Sequence, residues 1–158
     1  MTRDTNCHDD AQQVGEIPDL LRLDVQLCFA LYSASNLVTR LYRPLLEPLG
    51  LTYPQYLTML ALWEFAPLTV SELGDKLGLD SGTLTPLLKR LEKAGLVSRR
   101  RDQADERRVR VHLTDEGQTL RDRAAAIPLA LMCKLPIDPT AAKALKDTLS
   151  NFAEGLRG

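Results

Sequence analysis

The stretch of residues 68–113 constrains the fold most, because its hydrophobic pattern changes from helical to alternating spacing partway along. Thr69 and Glu72 form a T-x-x-E capping box, and apolar residues at helical spacing then predict a short helix over residues 70–77. Gly78 ends this helix and begins a tight turn. The pattern is typical of the first half of a helix-turn-helix motif.

A second helix is predicted after the turn. Ser81 is expected to be its N-cap, leucines at helical spacing form its apolar stripe, and Gly95 closes it. The N-terminal residues of this helix in a helix-turn-helix lie at base edges in the DNA major groove. Pro86 lacks a backbone N–H, so a local kink is expected there. The residues predicted to contact bases or phosphates are Ser81, Gly82, Thr83, Thr85, Pro86, Lys89 and Arg90.

After Gly95 the apolar residues alternate, which predicts two β-strands around a loop near residues 102–106. This hairpin is the wing of a winged helix. From Lys89 to Arg110 there are nine basic and four acidic side chains, whereas the whole chain has a net charge of −1. Positive charge concentrated on a nearly neutral protein predicts a surface that faces phosphates, and it argues against a non-specific, histone-like binder.

Helical segments flank this lobe on both sides. Residues 20–49 form an apolar face at helical spacing that Pro44 and Pro48 are expected to bend and end, and Thr52 then caps a helix to about residue 64. Beyond the wing, Thr114 begins a long helix predicted to reach about Met132. Asp138 and Pro139 begin a last helix.

The predicted fold is mainly α with a small β-wing. The winged helix-turn-helix lobe, residues 50–113, is flanked by dimerisation helices over 18–49 and 114–158 within a single domain of residues 18–158, and residues 1–17 form a disordered tail. The apolar faces of the flanking helices predict a homodimer. Its two-fold axis would place two recognition helices roughly 34–36 Å apart on a pseudo-palindrome in double-stranded DNA.

The composition excludes several other classes. No apolar run approaches a membrane span and the N-terminus has no signal peptide, so a soluble, cytoplasmic protein that contacts no membrane is expected. Three cysteines in such a protein do not form a disulfide framework. Cys7 and His8 on a flexible tail make no closed metal site, and no cofactor is expected.

Cys28 has two interpretations from the residues alone. Its neighbours are apolar, which favours a small hydrophobic core residue. All four tyrosines of the chain, however, lie within 28 residues of Cys28. A phenol that donates a hydrogen bond to sulfur favours the thiolate, which is the form that a peroxide oxidises.

Four motifs resemble the MarR family of winged-helix repressors, and in particular its organic-hydroperoxide-sensing branch, OhrR. They are LCFALY at 27–32, LTYPQY at 51–56, DSGTLTPLLKRLE at 80–92 and DERRV at 105–109. The resemblance covers roughly residues 20–155. It implies a DNA-binding transcriptional repressor that releases its operator on oxidation by an organic hydroperoxide.

The resemblance also implies roles for individual residues. Cys28 would be the peroxidatic sensor, bonded by Tyr42 and Tyr53 of the partner subunit. Cys133 would be the resolving residue that forms an intersubunit disulfide with Cys28, as in the two-cysteine subgroup. In the wing, the resemblance implies that Arg107 enters the minor groove and that Asp105 steadies it.

Three alternatives remain. The first is a MarR-type repressor released by non-covalent binding of a phenolic or aromatic ligand, with both cysteines structural. The second is a thiol peroxidase, which the sequence disfavours because neither His8 nor His112 is a plausible partner base and no Cys-x-x-Cys is present; we therefore expect no enzyme. The third is an interaction module with an incidental basic hairpin, which would lack a steep salt dependence of DNA binding.

Overall fold

The computed structural model describes residues 21–102, 104–105 and 107–157. Over these residues it contains seven α-helices and three β-strands. The helices are α1 Leu27–Leu46, α2 Tyr53–Phe65, α3 Val70–Leu77, α4 Ser81–Lys93, α5 Asp115–Ala124, α6 Ile127–Met132 and α7 Pro139–Arg157. The strands are β1 Leu68–Thr69, β2 Val97–Arg101 and β3 Val109–Leu113. The predicted class, mainly α with a small β-wing, is confirmed.

The chain divides into two compact units, one ending at Thr39 and the other beginning at Arg40. The described part of the first unit holds a short 3-10 turn and the start of α1. The second unit holds the remaining elements. The predicted tail of residues 1–17 lies outside the described residues, and the predicted domain boundaries stay a prediction.

The wing is part of a three-stranded antiparallel sheet with the strand order β1-β3-β2. Leu68 of β1 pairs with Val111 of β3, and Val97 of β2 pairs with Leu113. Val97 and Val111 are buried, as expected for the apolar face of an alternating pattern. The two predicted strands of the hairpin are confirmed.

The first half of the helix-turn-helix forms as predicted. The Thr69 backbone N–H donates to the Glu72 carboxylate at 2.7 Å, and the Glu72 N–H donates to the Thr69 hydroxyl at 3.2 Å, which completes the capping box of α3. Gly78 follows α3 with φ of +64°, in the left-handed region where glycine is not strained. This turn directs the chain into α4.

The prediction that Ser81 caps the second helix is wrong by one residue. Asp80 is the N-cap of α4, and its carboxylate accepts hydrogen bonds from the Thr83 N–H at 2.9 Å and the Thr83 hydroxyl at 2.8 Å. A carboxylate at this position also stabilises the positive end of the helix dipole, which explains why the aspartate is preferred to the serine. Pro86 lies inside α4 without ending it.

Two predictions about the long flanking helices need correction. The N-terminal segment forms α1 with 3-10 turns on either side, Leu23–Val25 and Glu47–Leu49, rather than one helix over 20–49. The helix predicted to run from Thr114 to about Met132 is two helices, α5 and α6. Pro128 explains this break, because it offers no N–H to the carbonyl four residues earlier.

The last helix begins as predicted. The Asp138 carboxylate accepts hydrogen bonds from the N–H groups of Thr140 at 2.8 Å and Ala141 at 3.0 Å, which caps α7. No helix within the described ranges is long and apolar enough to cross a membrane.

The core of the second unit lies between α2, α3, α4 and the sheet. Its most deeply buried side chains come from each of these elements and include Met59, Leu62, Leu73, Leu84, Leu88, Leu91, Val97 and Val111. Gly117 brings α5 against this lobe, since a Cβ there would lie 2.0 Å from the Leu96 carbonyl oxygen. The Trp63 indole N–H donates to the Gly117 carbonyl at 2.8 Å, which fixes the same contact.

The burial pattern of α2 gives a stability prediction. Leu62 is 1% exposed and Leu60 is 39% exposed on the same helix. Leu62→Ala should lower the free energy of unfolding by about 2–5 kcal/mol through lost burial and a residual cavity. Leu60→Ala is the matched control and should cost less than half as much. Chemical denaturation measures both, and equal losses would contradict the burial pattern.

Candidate nucleic-acid interface and sensor residues

The predicted DNA-reading face of α4 is exposed along its whole length. Beneath it, Leu84, Leu87, Leu88 and Leu91 are buried, so the helix rotates its polar face outward. Together with Lys93, the exposed residues of α4 are the seven predicted ones: Ser81, Gly82, Thr83, Thr85, Pro86, Lys89 and Arg90. The structure therefore brings all of them onto one solvent-facing surface.

Two hydroxyls on this face donate hydrogen bonds within the protein. The Thr83 hydroxyl donates to the Asp80 carboxylate, and the Thr85 hydroxyl donates to the Ser81 carbonyl at 2.7 Å. Their oxygens keep lone pairs, so in this arrangement they can accept from the exocyclic amino groups of adenine or cytosine but cannot donate to phosphates. The bonds from Thr83 also hold the pKa of Asp80 below its ordinary value.

The wing loop places Arg107 at an exposed turn. The Asp102 N–H donates to the Arg108 carbonyl at 2.8 Å, and the Arg108 N–H donates to the Asp105 carbonyl at 2.9 Å. The Asp105 carboxylate accepts from the backbone N–H of Arg107 at 3.1 Å. Asp105 thus holds the backbone of Arg107 and leaves its guanidinium exposed.

Two arginines of the basic stretch are engaged in ion pairs. Arg99 binds Glu92 at 2.6 Å, and Arg110 binds Asp102 at 2.5 Å. The side-chain bonds from Arg99 lower the pKa of Glu92. The nine basic residues counted in the sequence therefore overestimate the charge offered to DNA. The other seven are exposed: Lys89, Arg90, Lys93, Arg100, Arg101, Arg107 and Arg108.

Tyr42 and Tyr53 lie against each other, and a third tyrosine joins them. The ring centroids of Tyr42 and Tyr53 are 4.5 Å apart, and those of Tyr42 and Tyr56 are 5.8 Å apart. Burial, followed by the nearby phenols of Tyr53 and Tyr56, raises the pKa of Tyr42 to about 12. Burial also raises the pKa of Tyr53. Both phenols stay protonated at neutral pH and can donate hydrogen bonds.

The two predicted redox cysteines are exposed free thiols. Cys28 lies in the first turn of α1, and Cys133 directly follows α6. Each stands in a different unit of the chain. Exposure of Cys28 does not support its interpretation as a packed core residue of the single chain.

Large apolar side chains are also exposed around both cysteines. In the first unit they are Leu21, Leu23, Val25, Leu27, Phe29, Tyr32 and Leu37. Around Cys133 and along α7 they are Leu129, Ile137, Leu145, Leu149, Phe152 and Leu156. Exposed apolar side chains grouped in this way mark interaction surfaces.

Several residues that shape the site were not singled out by their sequence. Asp80 and Glu92 act through hydrogen bonds to residues three and seven positions away. The D-x-x-T spacing of Asp80 and Thr83 is a capping pattern that could have identified the first. Tyr56 was noted only as one of four tyrosines. Among the described residues, no group of three or more His, Cys, Asp or Glu could hold a metal ion.

The tyrosine cluster gives a pH prediction. In an alkaline titration followed by tyrosinate absorbance, Tyr42→Phe should remove the step at a pKa of about 12. Because folding raises this pKa, the phenol's contribution to stability is complete below its ordinary value near 10 and is lost as the pH rises toward 12. The same chain in denaturant is the control. A native titration identical to that control would contradict the buried cluster.

Comparison with known proteins places these features in a family. The family model of the SarA/Rot transcriptional regulators matches residues 40–124. The organic hydroperoxide resistance transcriptional regulator of Bacillus subtilis is 46% identical over 138 residues, which cover 87% of this chain and 94% of that protein.

Two solved structures of AbfR, a protein of Staphylococcus epidermidis, are also similar. Reduced AbfR bound to DNA is 42% identical with a TM-score of 0.70, over 87% of this chain and 96% of that one. Disulfide-formed AbfR is 38% identical with a TM-score of 0.58, over 96% and 95% respectively. The chain therefore belongs to the MarR-type winged-helix transcriptional regulators, in the group of the SarA/Rot and organic hydroperoxide resistance regulators.

Proposed function

We propose that the protein is a homodimeric repressor that binds a pseudo-palindromic DNA operator and releases it when an organic hydroperoxide oxidises Cys28. The observation that carries this proposal is an exposed thiol at Cys28 in a chain that also has a winged-helix lobe with the polar side of α4 exposed. The similarity to a hydroperoxide resistance regulator supports the sensing of hydroperoxide, and the similarity to a DNA-bound relative supports DNA binding.

The exposed apolar faces support the dimer. Leu145, Leu149 and Phe152 recur at helical spacing along α7 and are each at least 40% exposed. A second copy that covers such faces removes apolar surface from water at about 25 cal/mol per Å². The two-fold axis would present two copies of α4 to successive major grooves.

The DNA contacts divide by chemistry. Ser81, Thr83 and Thr85 at the start of α4 would face base edges, while Lys89 and Arg90 one turn later would contact phosphates. Arg107 at the wing turn would enter the minor groove, where a narrow groove attracts arginine.

The proposed sensing step conserves atoms and electrons. The Cys28 thiolate attacks the distal peroxide oxygen, the O–O bond breaks, and the alcohol leaves after it takes a proton, so that sulfur becomes a sulfenic acid. Tyr42 and Tyr53 of the partner subunit would donate hydrogen bonds to the thiolate. The thiol of Cys133 of the partner subunit then displaces water from the sulfenic acid and forms a disulfide. The shift of the helices that carry these residues lowers operator affinity.

The relatives are transcriptional regulators, so a stoichiometric sensor fits better than a peroxidase that turns over. A second candidate is release by a non-covalent aromatic or phenolic anion. An open groove of about 420 Å³ between α2 and the helices α5 and α6 favours it, because the aromatic rings of Tyr56 and Trp63 line it. Of the two charged residues in its lining, Arg121 suits an anion and Glu64 does not. Under that alternative, Cys28→Ser would respond as wild type does.

The redox proposal predicts how cysteine variants respond to cumene hydroperoxide in a fluorescence anisotropy assay of operator binding. Wild type and the matched control Cys7→Ser should release the operator, and Cys28→Ser should stay bound. Cys133→Ser should form no crosslinked dimer on a non-reducing gel. If Cys28→Ser releases the operator like wild type, oxidation of this thiol is not the signal.

The phosphate assignment predicts the salt dependence of binding. Lys89→Ala should reduce the slope of log affinity against log salt by about 0.9, since one phosphate contact is lost. Lys143→Ala on α7, where Lys143 pairs with Asp147 at 2.7 Å, is the control and should leave the slope unchanged. Equal slopes for wild type and Lys89→Ala would remove Lys89 from the interface.

A further inference from the structure

We propose that Glu92 and Arg99 form a positioning brace that holds the wing against the recognition helix α4 and thereby sets the preference for operator over other DNA. This inference rests on the proposed DNA-binding function. Neither residue is among those assigned above to base or phosphate contacts.

The brace joins the last turn of α4 to the first wing strand. The Glu92 carboxylate accepts three hydrogen bonds from Arg99: from the backbone N–H at 3.1 Å, from Nε at 3.0 Å and from Nη2 at 2.6 Å. The side chains of Arg99 and Glu92 are only 25% and 36% exposed. The two guanidinium N–H groups converge on Oε2, while Oε1 accepts the backbone N–H. This combination fixes both distance and orientation, which a single surface ion pair does not.

A second pair extends this rigidity along the wing. Arg110 of β3 binds Asp102 at the end of β2, and Asp102 also accepts the Ala104 N–H at 2.9 Å. Arg99 and Arg110 lie on adjacent strands, since Arg99 pairs with Val111. The path from α4 through Glu92, Arg99 and the sheet therefore connects the major-groove element to the wing turn.

Rigidity between these elements matters for specificity more than for overall affinity. Phosphate contacts tolerate small displacements and carry no sequence information, whereas base contacts need the reading groups in register with the grooves. A wing that moves relative to α4 can still follow the DNA backbone. It cannot hold Arg107 and the start of α4 in their grooves at the same time.

Removing the charge of Glu92 distinguishes a purely electrostatic role from a brace, because the two roles predict opposite changes in operator affinity. If Glu92 acts only through its charge, Glu92→Ala removes a carboxylate from a DNA-facing basic surface and should tighten binding to any duplex. If it is a brace, Glu92→Ala should weaken binding to the operator roughly tenfold, the cost of about one poorly read base pair, and change binding to a scrambled duplex less than about twofold.

The experiment measures both affinities with the full-length reduced protein, using a duplex that the wild type selects from a random library and a scrambled duplex of equal length. Asp75→Ala, which removes an exposed carboxylate from the neighbouring helix α3, is the matched control. It should keep the wild-type ratio of the affinities for the selected and the scrambled duplex. Glu92→Gln, which retains one acceptor, should recover part of the loss. The salt slope should be the same for Glu92→Ala and wild type, because no phosphate contact is removed.

A second variant covers the case in which Glu92→Ala does not fold. Arg99→Lys keeps the charge and the backbone bond but loses the planar pair of N–H donors, and it should lower the operator preference by a smaller factor than Glu92→Ala. The brace would be overturned if Arg99→Lys and folded Glu92→Ala both kept the wild-type ratio of affinity for the selected duplex to affinity for the scrambled duplex. Failure of the wild type itself to prefer any duplex would instead contradict the proposed function.

Discussion

The burial of one leucine stripe on α4 is the constraint on which the DNA-reading surface depends. Leu84, Leu88 and Leu91 are fully buried against α2, α3 and the sheet, and each contributes about 1.5–3 kcal/mol relative to exposure. The rotation of α4 is fixed once these side chains are inside. The same rotation turns its polar residues toward solvent, so the core packing that stabilises the lobe also defines the face that can meet DNA.

The helix-turn-helix and the wing could be predicted from sequence because local patterns encode them. The capping box of Thr69 and the alternation around Val111 each specify one element without help from distant residues. The errors arose where a local preference competed with another. Asp80 is the cap in place of Ser81 because its carboxylate reaches Thr83 and stabilises the helix dipole, and Pro128 divides a segment that is predicted as one helix.

The sequence predicts which residues belong to the candidate site better than it predicts their ion pairs and packing. The pattern of α4 predicts its exposed residues because helix position determines exposure, but the count of nine basic side chains includes Arg99 and Arg110, which Glu92 and Asp102 bind. Partners seven or eight positions apart across a turn or a hairpin leave no periodic pattern in a sequence. The packing of Tyr56 on Tyr42 likewise depends on how α1 and α2 approach, which spacing alone does not give.

The central claim is that one thiol per chain converts a hydroperoxide signal into operator release. Its most direct test is a stoichiometric titration of the reduced protein–operator complex with cumene hydroperoxide, followed by a dithiol. A sensor predicts complete release near one equivalent of hydroperoxide per chain, with one Cys28 thiol lost per chain and rebinding after reduction. Release only at large excess, or continuous consumption of hydroperoxide while the operator stays bound, would contradict the account.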